Sequence, residues 1–319
     1  MKKTTMASLA APFVLATGVA GISERLYQYA FKRVNQVPET SAEKQKYASV
    51  YYDYVKWLRD QPTETWMLHE DDPQQQLVAT YLAATPASKQ TVIISHGYKG
   101  NGETMANYAQ LFHELGYNVL LPDDRAHGKS AGRYITFGWL DRLDYLDWLK
   151  RIINHDGEEV RIVLFGVSMG GATVEMMSGE QLPDQVRAII ADCGYSSIDD
   201  ELVYLLKRNF HLPKYPFLPA VSAINRRRLG FNLNQVSSVA QLKRNHRPIL
   251  FIHGEKDVFV PASMLEENYA ATQGPKVKWI VPNATHAESF WVDPAAYQQH
   301  VRDFLQQYVV DSTPLPIAE

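Results

Sequence analysis

Gly166-Val167-Ser168-Met169-Gly170 places a serine between two glycines, directly after the apolar run Arg161–Phe165 and just before a stretch that reads as helix from Ala172. A buried strand that turns into a helix at Gly-x-Ser-x-Gly makes a sharp, strained elbow with the serine hydroxyl at the strand's C-terminal end. Small residues must flank the serine, and the helix start favours negative charge developing nearby. Those are the requirements of a serine nucleophile. A glycine-rich turn with an incidental serine would match the spacing but would not call for both the strand and the helix.

A serine hydroxyl attacks poorly until a base takes its proton and an acid orients the base. After an elbow of this kind the acid and then the histidine follow in chain order. Pro248–Ile252 reads as a buried strand ending in His253-Gly254-Glu255-Lys256-Asp257, which presents Asp257. Val277–Val281 reads as another, ending in the loop that carries His286. The spacing leaves room for a helix and a strand between acid and base. Asp192, at the end of an earlier strand, is the alternative acid. Asp257 has a bland rival of its own, as the cap of the next helix. His253 is expected to shape the turn beneath Asp257, while His113, His155, His211 and His300 lack any supporting context.

An acyl oxyanion needs two backbone N–H donors. Met169, next to the serine, supplies one. The loop His96-Gly97-Tyr98-Lys99-Gly100, after the run Thr91–Ser95, supplies the other, with Tyr98 as the candidate and His96 as a structural hydrogen-bonder. Asp123-Asp124-Arg125-Ala126-His127-Gly128-Lys129-Ser130 is rich in charge but completes no metal-ligand pattern, so it is read as a polar turn bracing that loop. No metal or cofactor is expected.

The elements behind these residues follow from periodicity. Thr65–His69 and Leu77–Ala83 flank the acidic turn Glu70-Asp71-Asp72-Pro73 and read as an antiparallel hairpin. Short Val/Ile/Leu runs then alternate with helical stretches at 105–116 and 139–153, as in strands buried on both faces. The fold class is therefore α/β, a doubly wound mostly parallel sheet. The rhythm breaks between Gly194 and Arg247, around Pro213, Pro216, Pro219 and Arg226-Arg227-Arg228, where a small helical cap of about residues 195–247 is expected. The arginines read as a solvated helix face.

With 45% hydrophobic and 21% charged residues the composition is that of a globular chain, and a net charge of −3 sets nucleic acid aside as a partner. Cys193 is the single cysteine, so no internal disulfide forms. Lys2 and Lys3 precede the uncharged run Thr4–Ser23. At roughly 1.5 Å per residue that run just spans a ~30 Å bilayer core. Residues 1–34 are thus expected to be an export signal or membrane anchor, with residues 35–319 as the domain and an extracytoplasmic location. An amphipathic helix packed on the domain ranks lower, because the run has no polar face.

Together, His96-Gly97, the Asp-x-Arg-x-His-Gly-x-Ser turn at 123–130, Gly166–Gly170, His253-Gly254-x-x-Asp257 and His286 resemble the α/β-hydrolase superfamily over about residues 77–308. Within it the chain looks like a Gram-positive branch with an N-terminal anchor, grouped with prolyl-oligopeptidase-like proteins. The resemblance implies a triad of Ser168, Asp257 and His286, oxyanion donors at Tyr98 and Met169, and hydrolysis of an ester, thioester or amide through an acyl-enzyme. Ala126 departs from the pattern, which more often has glycine there. A carboxylesterase for small or medium acyl esters is expected, with a small-molecule ester as its partner. The alternatives are a peptidase or amidase with the same triad and an anchored, non-enzymatic binding protein.

Overall fold

The computed structural model describes residues 4–34 and 46–310. Lys2 and Lys3, residues 35–45 and the residues from 311 onward lie outside the described residues. Helix α1 (Thr4–Phe31) and α2 (Ala48–Arg59) precede the sheet. The strands are β1 (Thr63–Leu68), β2 (Leu77–Leu82), β3 (Gln90–Ser95), β4 (Asn118–Pro122), β5 (Arg161–Val167), β6 (Val186–Asp192), β7 (Ile249–Gly254) and β8 (Lys276–Val281). They lie side by side in the order β1-β2-β4-β3-β5-β6-β7-β8. β1 and β2 form the expected hairpin, and β2 meets β4 antiparallel. Every pairing from β4 through β8 is parallel. The doubly wound, mostly parallel sheet is as the sequence leads one to expect.

Alternation along the inner strands divides the core in two. Val92, Ile94, Phe165, Ile190 and Ile252 face one layer, which holds α2, α3 (Ala106–Glu114) and the later α11 (Pro294–Leu305). Ile93, Leu164, Ile189 and Phe251 face the other, against α4 (Asp141–Asp156), α5 (Met169–Met177) and the later α9 (Ala262–Ala271). Both faces of these strands need apolar cover, which is why their sequences are continuous rather than alternating.

Between β6 and β7 stand α6 (Ile198–Phe210), α7 (Lys214–Leu229) and α8 (Ser238–Leu242), with α10 (Ser289–Val292) following β8. Ser197 caps α6 by accepting the Asp200 amide, and acids in its first turn and bases in its last suit the helix dipole. A third apolar cluster joins α7 to the sheet through Leu218, Val221, Phe137 and Met169, and it includes Tyr27 and Phe31 of α1.

The end of α1 is built into this cluster. Ser23, Tyr27 and Phe31 are fully buried. The Tyr27 hydroxyl donates to Asn225 at 3.4 Å, and the Phe31 carbonyl accepts the Ile135 amide at 2.6 Å. The Arg33 guanidinium donates to the carbonyls of Gly128 and Ser130. Residues 23–34, expected to stand ahead of the domain, therefore pack within it. Arg228, expected to be solvated, instead pairs with Glu24 at 2.9 Å and lies over the Tyr27 and Tyr134 rings. Among the described residues no helix is long and apolar enough to cross a membrane.

Candidate active site

Strand β5 ends at Val167 and α5 begins at Met169, leaving Ser168 alone at the corner with φ 59° and ψ −119°. A left-handed φ at a non-glycine residue costs about 1–3 kcal/mol and persists only where the surroundings over-determine it. They do so here: the Ser168 amide donates to the Asp192 carbonyl at 2.8 Å, and the Ser168 carbonyl accepts the Ala172 amide. A Cβ on Gly166 would lie 2.1 Å from the Gly170 carbonyl oxygen, and one on Gly170 would lie 2.0 Å from that of Ser95. The close backbone approach, not glycine's freedom of φ, fixes both positions.

The structure brings Asp257 and His286 to this corner. The Ser168 hydroxyl meets His286 Nε2 at 2.7 Å, and His286 Nδ1 donates to Asp257 Oδ2 at 2.7 Å. Because a carboxylate only accepts, the proton sits on Nδ1 and Nε2 is free to take the serine's proton. Asp257 Oδ1 accepts the amides of Phe259 and Val260 at 2.8 and 2.9 Å. Burial alone would raise this carboxyl, but hydrogen bonds from His253 and His286, with their charge, hold it well below the usual carboxylate range. His253 Nε2 donates to the Val260 carbonyl at 2.9 Å and lies 3.3 Å from Asp257 Oδ2. It pins the turn from below, as expected.

Asp192 is not aimed at His286. Its carboxyl accepts from Ser289 Oγ at 3.1 Å and from the Tyr297 hydroxyl at 3.0 Å, and burial pushes it up to about 6. Cys193 has its sulfur within 4.8 Å of ligand atoms of Asp257 and His286. The latter two already hydrogen-bond each other, so no metal site is assigned.

The Gly97–Gly100 loop reaches the serine from the other side. A Cβ on Gly97 would sit 3.6 Å from the Ser168 Cβ. Among the described residues the amides of Tyr98 and Met169 find no protein acceptor, and both residues line the cavity beside Ser168. The charged turn fixes this loop. His127 Nε2 accepts the Lys99 amide at 3.1 Å, and Asp123 accepts the Gly102 amide at 2.8 Å. His96 donates from Nδ1 to the Gly97 carbonyl and accepts the Asp124 amide on Nε2. Burial lowers His96 and pushes His127 well below the usual imidazole range, so both stay neutral. Arg125 closes the turn onto Asp144 with two bonds of 2.5 and 2.6 Å. At the centre of the turn Ala126 has φ 62°, the conformation that makes glycine common there.

A cavity of about 150 Å³ opens onto Ser168 and Met169. Its walls come from α6 and α7 through Leu202, Leu206 and Phe217, from Phe137, and from Leu26 and Tyr29 of α1. Two contributors escaped the sequence. Leu26 and Tyr29 read as a continuation of the apolar N-terminal run, with nothing local to announce partners far along the chain. Glu201 also lines the cavity, but as the third acid in a row at a helix start it reads as a dipole partner.

The comparisons accord with this geometry. Residues 86–221 match the family described as serine aminopeptidase, S33. The uncharacterized protein YqkD of Bacillus subtilis is 34% identical over 236 residues, 73% of this chain and 76% of that protein. The Pyrococcus furiosus esterase Pf2001 has the same fold, with TM-score 0.64 and 22% identity over 87% of this chain and 97% of its own. The Pyrococcus horikoshii acylaminoacyl peptidase shares the fold with TM-score 0.61 and 17% identity, over 81% of this chain and 43% of its own.

Proposed function

This chain belongs to the α/β-hydrolase superfamily and is a serine hydrolase, and on that premise we propose that it is a carboxylesterase for small or medium acyl groups. The observation that carries the proposal is the 2.7 Å contact of Ser168 with His286 at the floor of an apolar cavity. A cavity of about 150 Å³ is on the scale that holds a benzene-sized group, which suits an acyl chain of about six carbons.

In the proposed mechanism Ser168 Oγ attacks the ester carbonyl as His286 Nε2 takes its proton. Asp257 keeps His286 in the right tautomer and steadies the imidazolium. The tetrahedral oxyanion rests on the amides of Tyr98 and Met169. His286 returns the proton to the departing alcohol, leaving an acyl-serine. Water then gives a proton to His286 while its oxygen attacks the acyl carbon, and the acid leaves as Ser168 regains its proton. Ser168→Ala is expected to lower kcat on a chromogenic hexanoate ester by about 10⁴–10⁶-fold with the fold unchanged. Unchanged turnover would rule the scheme out.

A peptidase is the second reading, favoured by the serine aminopeptidase description of the matched family. Faster cleavage of aminoacyl anilides than of matched esters would select it. The proposal includes an extracytoplasmic location, supported by Lys2-Lys3 and the uncharged run after them. Its test is fractionation of cells expressing the full chain.

A further inference from the structure

Glu201 is 3% exposed, and neither carboxyl oxygen has a hydrogen-bond partner among the described residues. Other buried carboxyls are served: Glu175 by Asn268, Asp192 by Ser289 and Tyr297, Asp124 by Tyr145. A buried polar group without a partner is costly, and it needs an explanation. Glu201 lines the same cavity as Ser168, one turn into α6, where the proposed mechanism gives it no work.

Resting on the esterase reading, we propose that the Glu201 carboxyl is a specificity-determining group that donates a hydrogen bond to a single carbonyl or hydroxyl oxygen on an otherwise apolar acyl chain. The surroundings choose this chemistry over a charged ligand. Burial, then the charge of Asp257, push Glu201 up to about 8, against the lowering effect of Arg208 on its own helix. Tyr195, buried beside it, is itself pushed well above the usual phenol range. Near neutral pH the group is therefore an uncharged acid with an O–H to give. An ammonium brought here would shed its hydration in the same apolar walls, and a buried ion pair repays that cost only with further hydrogen bonds. A neutral acceptor oxygen asks for one bond, and Glu201 has one to offer. A site built to hydrogen-bond a substrate oxygen rejects the analogue that lacks it, because its own polar group is left unpaired.

The test compares 5-oxohexanoate with hexanoate as p-nitrophenyl esters. It also compares the rate at which fluorophosphonates with 5-oxohexyl and hexyl chains label Ser168. The label reads the cavity whatever the natural scissile bond, so loss of ester turnover with labelling preference intact would count against the esterase reading alone. Wild type is expected to prefer the oxo chain by about tenfold near neutral pH. The preference should fall as pH rises through about 8, where the donor proton leaves. Glu201→Gln keeps an N–H donor and should keep the preference at every pH. Glu201→Leu should lose it while still labelling with the hexyl probe. Equal labelling by both chains in wild type would overturn the proposal. So would a preference surviving in Glu201→Leu, or faster labelling by a chain ending in an amine.

Discussion

The hydroxyl of Tyr98 donates to the carbonyl of Ala30 at 2.7 Å, tying the proposed oxyanion loop to the last turn of α1. The Tyr98 ring also stacks on Phe137 at 5.5 Å, and Phe137 meets Phe31 edge-on at 4.9 Å. The N-terminal helix thus braces the loop whose amide is to receive the oxyanion. Tyr98→Phe removes the bond and keeps the stacking. Expected are a loss of about 1 kcal/mol in stability and a several-fold fall in kcat with KM little changed, read by denaturant unfolding and steady-state kinetics.

Truncation separates the two parts of α1. Removing residues 1–20 leaves the buried Ser23, Tyr27 and Phe31 in place, and turnover should stay within about twofold. Removing residues 1–34 strips Tyr27 and Phe31 from the third cluster and Leu26 and Tyr29 from the cavity wall. Deleting a buried aromatic costs about 3–5 kcal/mol, so this variant should melt at least about 10 °C lower and lose its chain-length selectivity. Equal melting of the two truncated proteins would contradict the packing described for α1.

Two aspartates at strand ends differ in what they serve. Asp257→Asn is expected to lower kcat by about 10⁴-fold, the scale for loss of a triad acid, with little change in unfolding. Asp192→Asn disturbs the bonds from Ser289 and Tyr297. It should cost about 1–3 kcal/mol of stability and leave kcat within about tenfold. The reverse pattern would exchange their roles.

Stability should respond to pH in two opposed windows. Asp257 is held below the ordinary carboxylate range, so its contribution is present above about pH 4 and lost as pH falls through that value and below. Glu175 is pushed up to about 8, chiefly by burial. Unfolded it ionises near about 4.3, folded only near 8, so its favourable contribution is complete below the first value and lost as pH rises to the second. Glu175→Gln should shrink the fall in Tm between about pH 5 and pH 8, as followed by thermal melts. Parallel melting curves for variant and wild type would refute this.

Ala126→Gly relieves a left-handed backbone worth about 1 kcal/mol for a non-glycine residue. It also gives up a buried methyl and loosens the unfolded chain. The expected net is within about 1 kcal/mol of neutral, read by denaturant melts, with the rate of fluorophosphonate labelling of Ser168 unchanged.

Legibility in the sequence tracks how local the physics is. The Gly166–Gly170 elbow is visible because backbone sterics act over five residues. β3 through β7 are visible because burial on both faces leaves continuous apolar runs. The turn at 253–257 shows its acid because a strand must end in something polar. The role of Asp192 depends on Ser289 and Tyr297, about a hundred residues away, and the sequence alone left it as a rival acid. Tyr27 finds Asn225 across 198 residues, a pairing with no local trace. Glu201 could have been singled out only by knowing which face of α6 the cavity takes, and three successive acids hide that choice.

The placement of Leu26 and Tyr29 in the cavity wall has an evolutionary corollary. In a modular enzyme a leader can be exchanged without touching selectivity, because the segment that sets an address and the segment that sets a preference are separate. Here the proposed address and part of the cavity wall share one continuous helix. A lineage that replaced its first thirty residues would inherit a different wall beside the nucleophile, so under the proposed location a change of address would bring a change of cavity with it.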